Sequence, residues 1–181
     1  VDALGGLLRR PELGAPDLSR ARSILVVKPD QVGDLILTFP LLHALRRKAP
    51  EARIEIAVGR DRAPVLSGCD AVDDVHELPI RMRQGEGRND IDYGELRRRV
   101  RRLRTRRFDA VVAAKEEPWT VLLSFLTGAP VRVGFREGGL GFLLTHCVPI
   151  PERGRHQWEI LASLAGAAPG EDGPPRFSVT E

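Results

Sequence analysis

Gly33 and Asp34 lie at the centre of the segment best suited to chemistry, Pro29-Asp30-Gln31-Val32-Gly33-Asp34, with Thr38 one helical turn beyond Asp34 on the same face. A glycine lets a ligand approach the backbone closely, and a carboxylate beside a bound hydroxyl can take its proton. The segment follows a short β-branched run and opens an apolar helical pattern, the place where open α/β sheets bind ligands. Its single glycine separates it from the GxGxxG fingerprint of dinucleotide sites, and it lacks the Gly-Lys-Ser/Thr ending of a P-loop. A structural reading is equally open and is the commoner one for this spacing. In it Asp30 is a helix N-cap and Asp34 a first-turn acid that complements the helix dipole.

Other residue types carry less. His156 and Glu159 are three apart on a helical pattern, but a metal site needs a third ligand, and His43, His76 and His146 lie in unrelated segments. Capping or packing is expected for that pair, and no protein-bound metal. Cys69 and Cys147 have no CxxC spacing and are expected as buried free thiols. Between Arg97 and Arg107 there are eight arginines and no acid, with Leu96, Val100 and Leu103 forming an apolar stripe at helical spacing. A solvated outer helix is the plain reading. Attraction to an anionic membrane surface is the functional one. Nucleic acid ranks last, because the chain's nine aromatics are not interleaved with the basic run. Trp119 and Phe125 read as core.

The elements that must hold these residues alternate between strand and helix. Strands are predicted at Ser23–Lys28, Arg53–Val58, Val75–Leu78, Phe108–Ala114 and Val131–Phe135, with a short extended piece at His146–Val148. Helices are predicted from Asp34 to Ala49, with a kink or break at Pro40, and at Ala63–Ser67, Tyr93–Arg107, Trp119–Leu126 and His156–Ala167. Pro79–Asn89 reads as a flexible loop and Gly138–Gly141 as a turn. This alternation implies a Rossmann-like α/β fold, a mostly parallel sheet with helices on both faces. The 181 residues, 42% hydrophobic and 29% charged, fit one domain at 23–169. Before it is an N-terminal extension, 1–22, with one helix expected through Arg10; after it, 170–181 reads as the start of a linker. No apolar run approaches the roughly 20 residues a membrane span needs, and no signal-peptide pattern opens the chain. The expectation is a cytoplasmic protein, with peripheral membrane contact as the role open to the arginine run. Of its 28 basic residues only Lys28, Lys48 and Lys115 are lysine.

The run Lys28-Pro29-Asp30-Gln31-Val32-Gly33-Asp34-Leu35-Ile36-Leu37-Thr38-Phe39-Pro40, followed by Ala44-Leu45-Arg46, resembles the opening segment of the ADP-heptose:lipopolysaccharide heptosyltransferases, glycosyltransferase family nine. The similarity continues in Pro50–Ile54, Ala63–Leu66, Arg107–Val112, Thr127–Phe135 and His156-Gln157-Trp158-Glu159, in the family's order. The resemblance implies the N-terminal half of a GT-B enzyme, in which two Rossmann-like domains face across a cleft. This half would hold the acceptor. The C-terminal donor domain would bind the nucleotide-sugar, ADP-heptose, and would lie beyond Glu181, so that the chain alone would not turn over.

The resemblance further implies an inverting transfer with no cofactor and with Asp34 as the base. Gly33 and Thr38 would lie beside the acceptor. The family usually has a small polar residue near position 30, so Asp30 is a departure, and its like charge would raise the pKa of Asp34. The acceptor would be an anionic glycolipid or sugar phosphate of the lipopolysaccharide-core type. Arg60, Arg62 and Arg136, at the carboxyl ends of their strands, would then bind it, since guanidinium pairs with phosphate bidentately. A stand-alone binding or interaction module that kept this fold without catalysis is the alternative.

Overall fold

The computed structural model describes residues 10–81, 90–150, 154–168, 171 and 173–174. The helix expected before Arg10, most of the Pro79–Asn89 loop and most of the 170–181 segment lie outside them. Seven parallel strands form one sheet, in the order β1 (Glu12–Leu13), β9 (His146–Val148), β8 (Val131–Phe135), β7 (Ala110–Ala113), β2 (Ser23–Lys28), β3 (Arg53–Val58) and β4 (Asp74–Glu77). β2 lies between β3 and β7, with Val27 opposite Ala57 on one side and Ala113 on the other.

Side chains alternate across this sheet, so β2 feeds two cores. Ile24 and Val26 pack with Leu41, Leu45, Leu161 and Leu164, which come from α2 (Phe39–Lys48) and from α5 (Gln157–Ser163) with the turn after it. Leu25 and Val27 pack with Val100, Leu103 and Leu123, from α3 (Tyr93–Thr105) and α4 (Pro118–Leu126). Helices therefore cover both faces, the Rossmann-like arrangement the alternation implies. Among the described residues no helix is long and apolar enough to cross a membrane. Cys69 and Cys147 are buried free thiols.

Three local departures from the sequence reading have physical causes. The helix expected from Asp34 to Ala49 is two helices, α1 (Val32–Ile36) and α2, broken at Leu37–Thr38. A proline inside a continuous helix would clash with the preceding turn. The break instead puts Pro40 in the first turn of α2, where no N–H partner is needed. The segment before Ser23 supplies the edge strand β1, with Glu12 opposite His146 and Leu13 opposite Cys147. The predicted loop after Leu78 begins as β5 (Ile80–Arg81), antiparallel to β6 (Asp90–Ile91). Two-residue strands are too short for a period to register.

At the helix ends, Asp92 caps α3 by accepting from the Glu95 N–H at 2.8 Å. The His156 N–H donates to Glu159 Oε2 at 3.0 Å, so that pair caps α5. α5 itself is shorter than the expected 156–167, because Leu164 to Gly166 form tighter three-residue turns.

Candidate functional site

β2 ends on Lys28, an unusual residue to find only 3% exposed. Its ammonium is 3.1 Å from Asp30 Oδ2. Asp30, 6% exposed, also accepts from the Gln31 N–H at 2.9 Å and from Lys115 Nζ at 3.2 Å. Lys115 follows the neighbouring strand β7 and reaches Glu117 Oε1 at 3.1 Å as well. A buried carboxylate between two ammonium groups is thus fixed at the carboxyl end of the sheet. It is not the N-cap of α1, because Gln31 holds that position.

Asp34 is half-buried in the first turn of α1 and lines a pocket of about 340 Å³ with Lys28, Asp30, Lys115, Glu117 and Gln157. The two aspartates are driven apart in acidity. Burial opposes the Asp30 charge, but Lys28, the Gln31 N–H and Lys115 outweigh it and hold the carboxyl below its ordinary value. Burial pushes Asp34 up, and the negative charge of Asp30 adds to the rise; Lys28 and Lys115 offset only part of it. An acid that merely complemented a helix dipole would be shifted down. Two carboxyl groups separated in this way divide into a permanent anion and a proton-exchanging group.

The other sequence candidates are placed differently. Gly33 lies in α1 without left-handed backbone, and a Cβ there would meet nothing within 4 Å. Its backbone is therefore not a tight turn, and a side chain there would point into open space. Thr38 is fully buried, and its hydroxyl donates to the Asp34 carbonyl at 2.8 Å, so it does not face a ligand. That carbonyl loses its helical partner at the α1–α2 break, where the Thr38 N–H turns to Leu35 O.

Arg60 pairs with Glu95 at 2.9 Å, exposed Arg136 pairs with Glu137 at 3.2 Å, and Arg62 precedes the short turn Ala63–Leu66. All three lie beyond strand ends, but none lines the pocket with Asp34. Its cations are Lys28 and Lys115, which the sequence reading did not select. Both occupy carboxyl ends of buried strands, the same signal that marked Asp34.

A second ionic cluster lies near the opposite end of the sheet. Glu55, 1% exposed, takes Arg53 Nε at 2.8 Å, His76 Nε2 at 2.6 Å and the Arg106 guanidinium. Glu55, Asp74 and His76 bring ligand-type atoms within 4.8 Å of one another. Arg53 and Arg106 already satisfy Glu55 and would repel a divalent cation, so the cluster reads as a tie between the end of α3 and the sheet edge.

No family model matches the chain. Its Rossmann-like fold is similar to that of solved proteins of glycosyltransferase family 9. The family 9 protein of Veillonella parvula superposes with a TM-score of 0.74 at 20% identity, covering 92% of this chain and 47% of its own. The Escherichia coli ADP-heptose lipopolysaccharide heptosyltransferase II superposes with a TM-score of 0.68 at 23% identity, covering 88% and 47%. Sequence narrows the class: lipopolysaccharide heptosyltransferase 2 of Escherichia coli K12 is 28% identical over 113 residues, 62% of this chain and 31% of that protein. The Salmonella typhimurium LT2 enzyme matches to the same extent. The chain is similar to these heptosyltransferases and spans about a third of the length of the curated proteins it matches.

Proposed function

We propose that this chain is the acceptor-side domain of an inverting GT-B glycosyltransferase. It passes a heptose-like sugar from a nucleotide-sugar, ADP-heptose, to an acceptor of the lipopolysaccharide-core type. The observation that carries the reading is Asp34: a half-buried carboxylate with raised proton affinity, lining an open pocket at the carboxyl edge of the sheet. In the reaction, the Asp34 carboxylate takes the proton of the acceptor hydroxyl. The freed oxygen forms a bond to the anomeric carbon while the bond to the diphosphate breaks, and the nucleoside diphosphate leaves with that electron pair. Asp30, held ionised by Lys28 and Lys115, makes Asp34 the stronger base.

Donor recognition is assigned to a second Rossmann-like domain, so the domain described here binds acceptor without completing transfer. Arg60, Arg62 and Arg136, outside the pocket, are suited to the anionic groups of a large acceptor. The arginines of α3 are suited to the surface of an anionic bilayer, and this reading has the enzyme act at the cytoplasmic face of the membrane.

The test is transfer from ADP-heptose to a lipopolysaccharide-core acceptor by the complete transferase carrying Asp34→Asn. The expected result is a fall in kcat of at least about 100-fold with acceptor affinity retained. Unchanged turnover removes Asp34 from the chemistry and leaves a binding module.

A further inference from the structure

The charge on the walls of the Asp34 pocket restricts what can enter it. Four carboxylates line it, Asp30, Asp34, Glu116 and Glu117, against two ammonium groups, Lys28 and Lys115. Both ammonium groups are engaged. Lys28 is 3.1 Å from Asp30, and Lys115 is 3.2 Å from Asp30 and 3.1 Å from Glu117. Among the described residues, neither Asp34 nor exposed Glu116 has a cationic partner at ion-pair distance. Among the described residues, the walls therefore offer carboxyl groups without a cationic partner and no uncommitted positive charge.

A phosphate or carboxylate entering here faces Asp34 and Glu116 directly. To gain a counter-charge it must draw a lysine away from Asp30, leaving a buried carboxylate unpaired. A sugar hydroxyl meets good acceptors, and an ammonium meets two carboxyl groups that have no cationic partner among the described residues. Phe135 and Leu161 add apolar wall for the C–H face of a ring. The arginines suited to anions, Arg60, Arg62 and Arg136, all lie outside.

We propose that the acceptor ring seated in this pocket is uncharged or carries an amino group, and that any phosphate or carboxylate of the acceptor is held outside the pocket. The proposal rests on the reading of this pocket as the acceptor site.

The test is an NMR titration of the labelled protein with methyl glucoside, methyl glucosaminide, methyl glucuronide and glucose 6-phosphate, following resonances of the pocket residues. The glucosaminide is expected to bind at least as tightly as the glucoside, and the two anions about ten-fold or more weakly, a difference of about 1.4 kcal/mol. Glu116→Lys, a change on an exposed side chain, is expected to raise glucuronide affinity relative to glucoside affinity. Glucuronide or phosphate binding as tightly as glucoside overturns the charge argument alone. So does a Glu116→Lys protein with unaltered selectivity. If no sugar shifts the pocket resonances, the acceptor-site reading fails, and this proposal with it.

Discussion

Lys115 Nζ lies 3.2 Å from Asp30 Oδ1, a contact that joins the ends of β7 and β2 across 85 positions of chain. Through it the charge of one strand end sets the acidity at another. Lys115 offsets part of the rise at Asp34 and helps keep Asp30 ionised. A base must be deprotonated to act, so the rate climbs with pH through the Asp34 titration. Lys115→Met removes a positive charge, raises both carboxyls, and is expected to move the acid limb of the kcat/KM profile to higher pH. Asp30→Asn removes the like charge and should move it lower. Profiles that move the other way would separate this pair from catalysis.

The same shift has a cost in stability. The folded state binds the Asp34 proton more tightly than the unfolded chain, so stability falls as pH rises from the ordinary carboxylate range through the raised folded value. Below that range the group contributes nothing. Asp34→Asn is therefore expected to be more stable than the parent at neutral pH and about equal to it in acid. Urea midpoints at the two pH values would check this; a less stable variant at neutral pH contradicts it.

Glu55 behaves in the opposite sense. Burial opposes its charge, but His76, Arg106 and Arg53 outweigh burial and hold its carboxyl below the ordinary value. Its contribution is present above the unfolded carboxylate pKa and is lost as pH falls through the lowered folded value. Glu55→Gln is expected to cost about 1.5–3 kcal/mol at neutral pH, the range for hydrogen bonds to charged groups. The gap from the parent should narrow in acid. A pH-independent difference in denaturation midpoint would assign the cost to packing instead.

Val100 and Leu103 turn one face of α3 into the core, and Arg97, Arg98, Arg101 and Arg102 are exposed. None of these four has an acidic partner among the described residues, whereas Arg99 pairs with Glu95 and Arg106 with Glu55. On an anionic bilayer each such arginine is worth about 1 kcal/mol. Arg97→Glu with Arg101→Glu is expected to abolish flotation with vesicles containing phosphatidylglycerol, and added salt should weaken parent binding. Equal flotation of parent and variant removes the membrane role.

Much of the fold was legible because strands such as Ser23-Ile24-Leu25-Val26-Val27-Lys28 are β-branched runs bounded by charge and proline, and because α3 carries a helical apolar stripe. Pro40 announced a break, although where the chain turned was set by the need to place that ring in a first helical turn. Thr38 illustrates the limit. Its spacing from Asp34 is that of a shared helix face, yet the break in the helix turned its hydroxyl onto the Asp34 carbonyl and buried it.

Strand positions, helix faces and the location of a carboxylate at the mouth of β2 follow from local patterns, which act over a few residues and are written in the chain itself. The partners of that carboxylate do not. β7 lies beside β2 because the crossover from β4 through α3 returns the chain to the other side of β2, and this brings Lys115 to Asp30; Arg60, Arg62 and Arg136 stay outside the pocket. Separation along a chain says nothing of separation in space once a parallel sheet has formed. The sequence therefore determined that an acid would stand at the edge of this sheet, and the tertiary structure decided which acid would hold its proton more tightly.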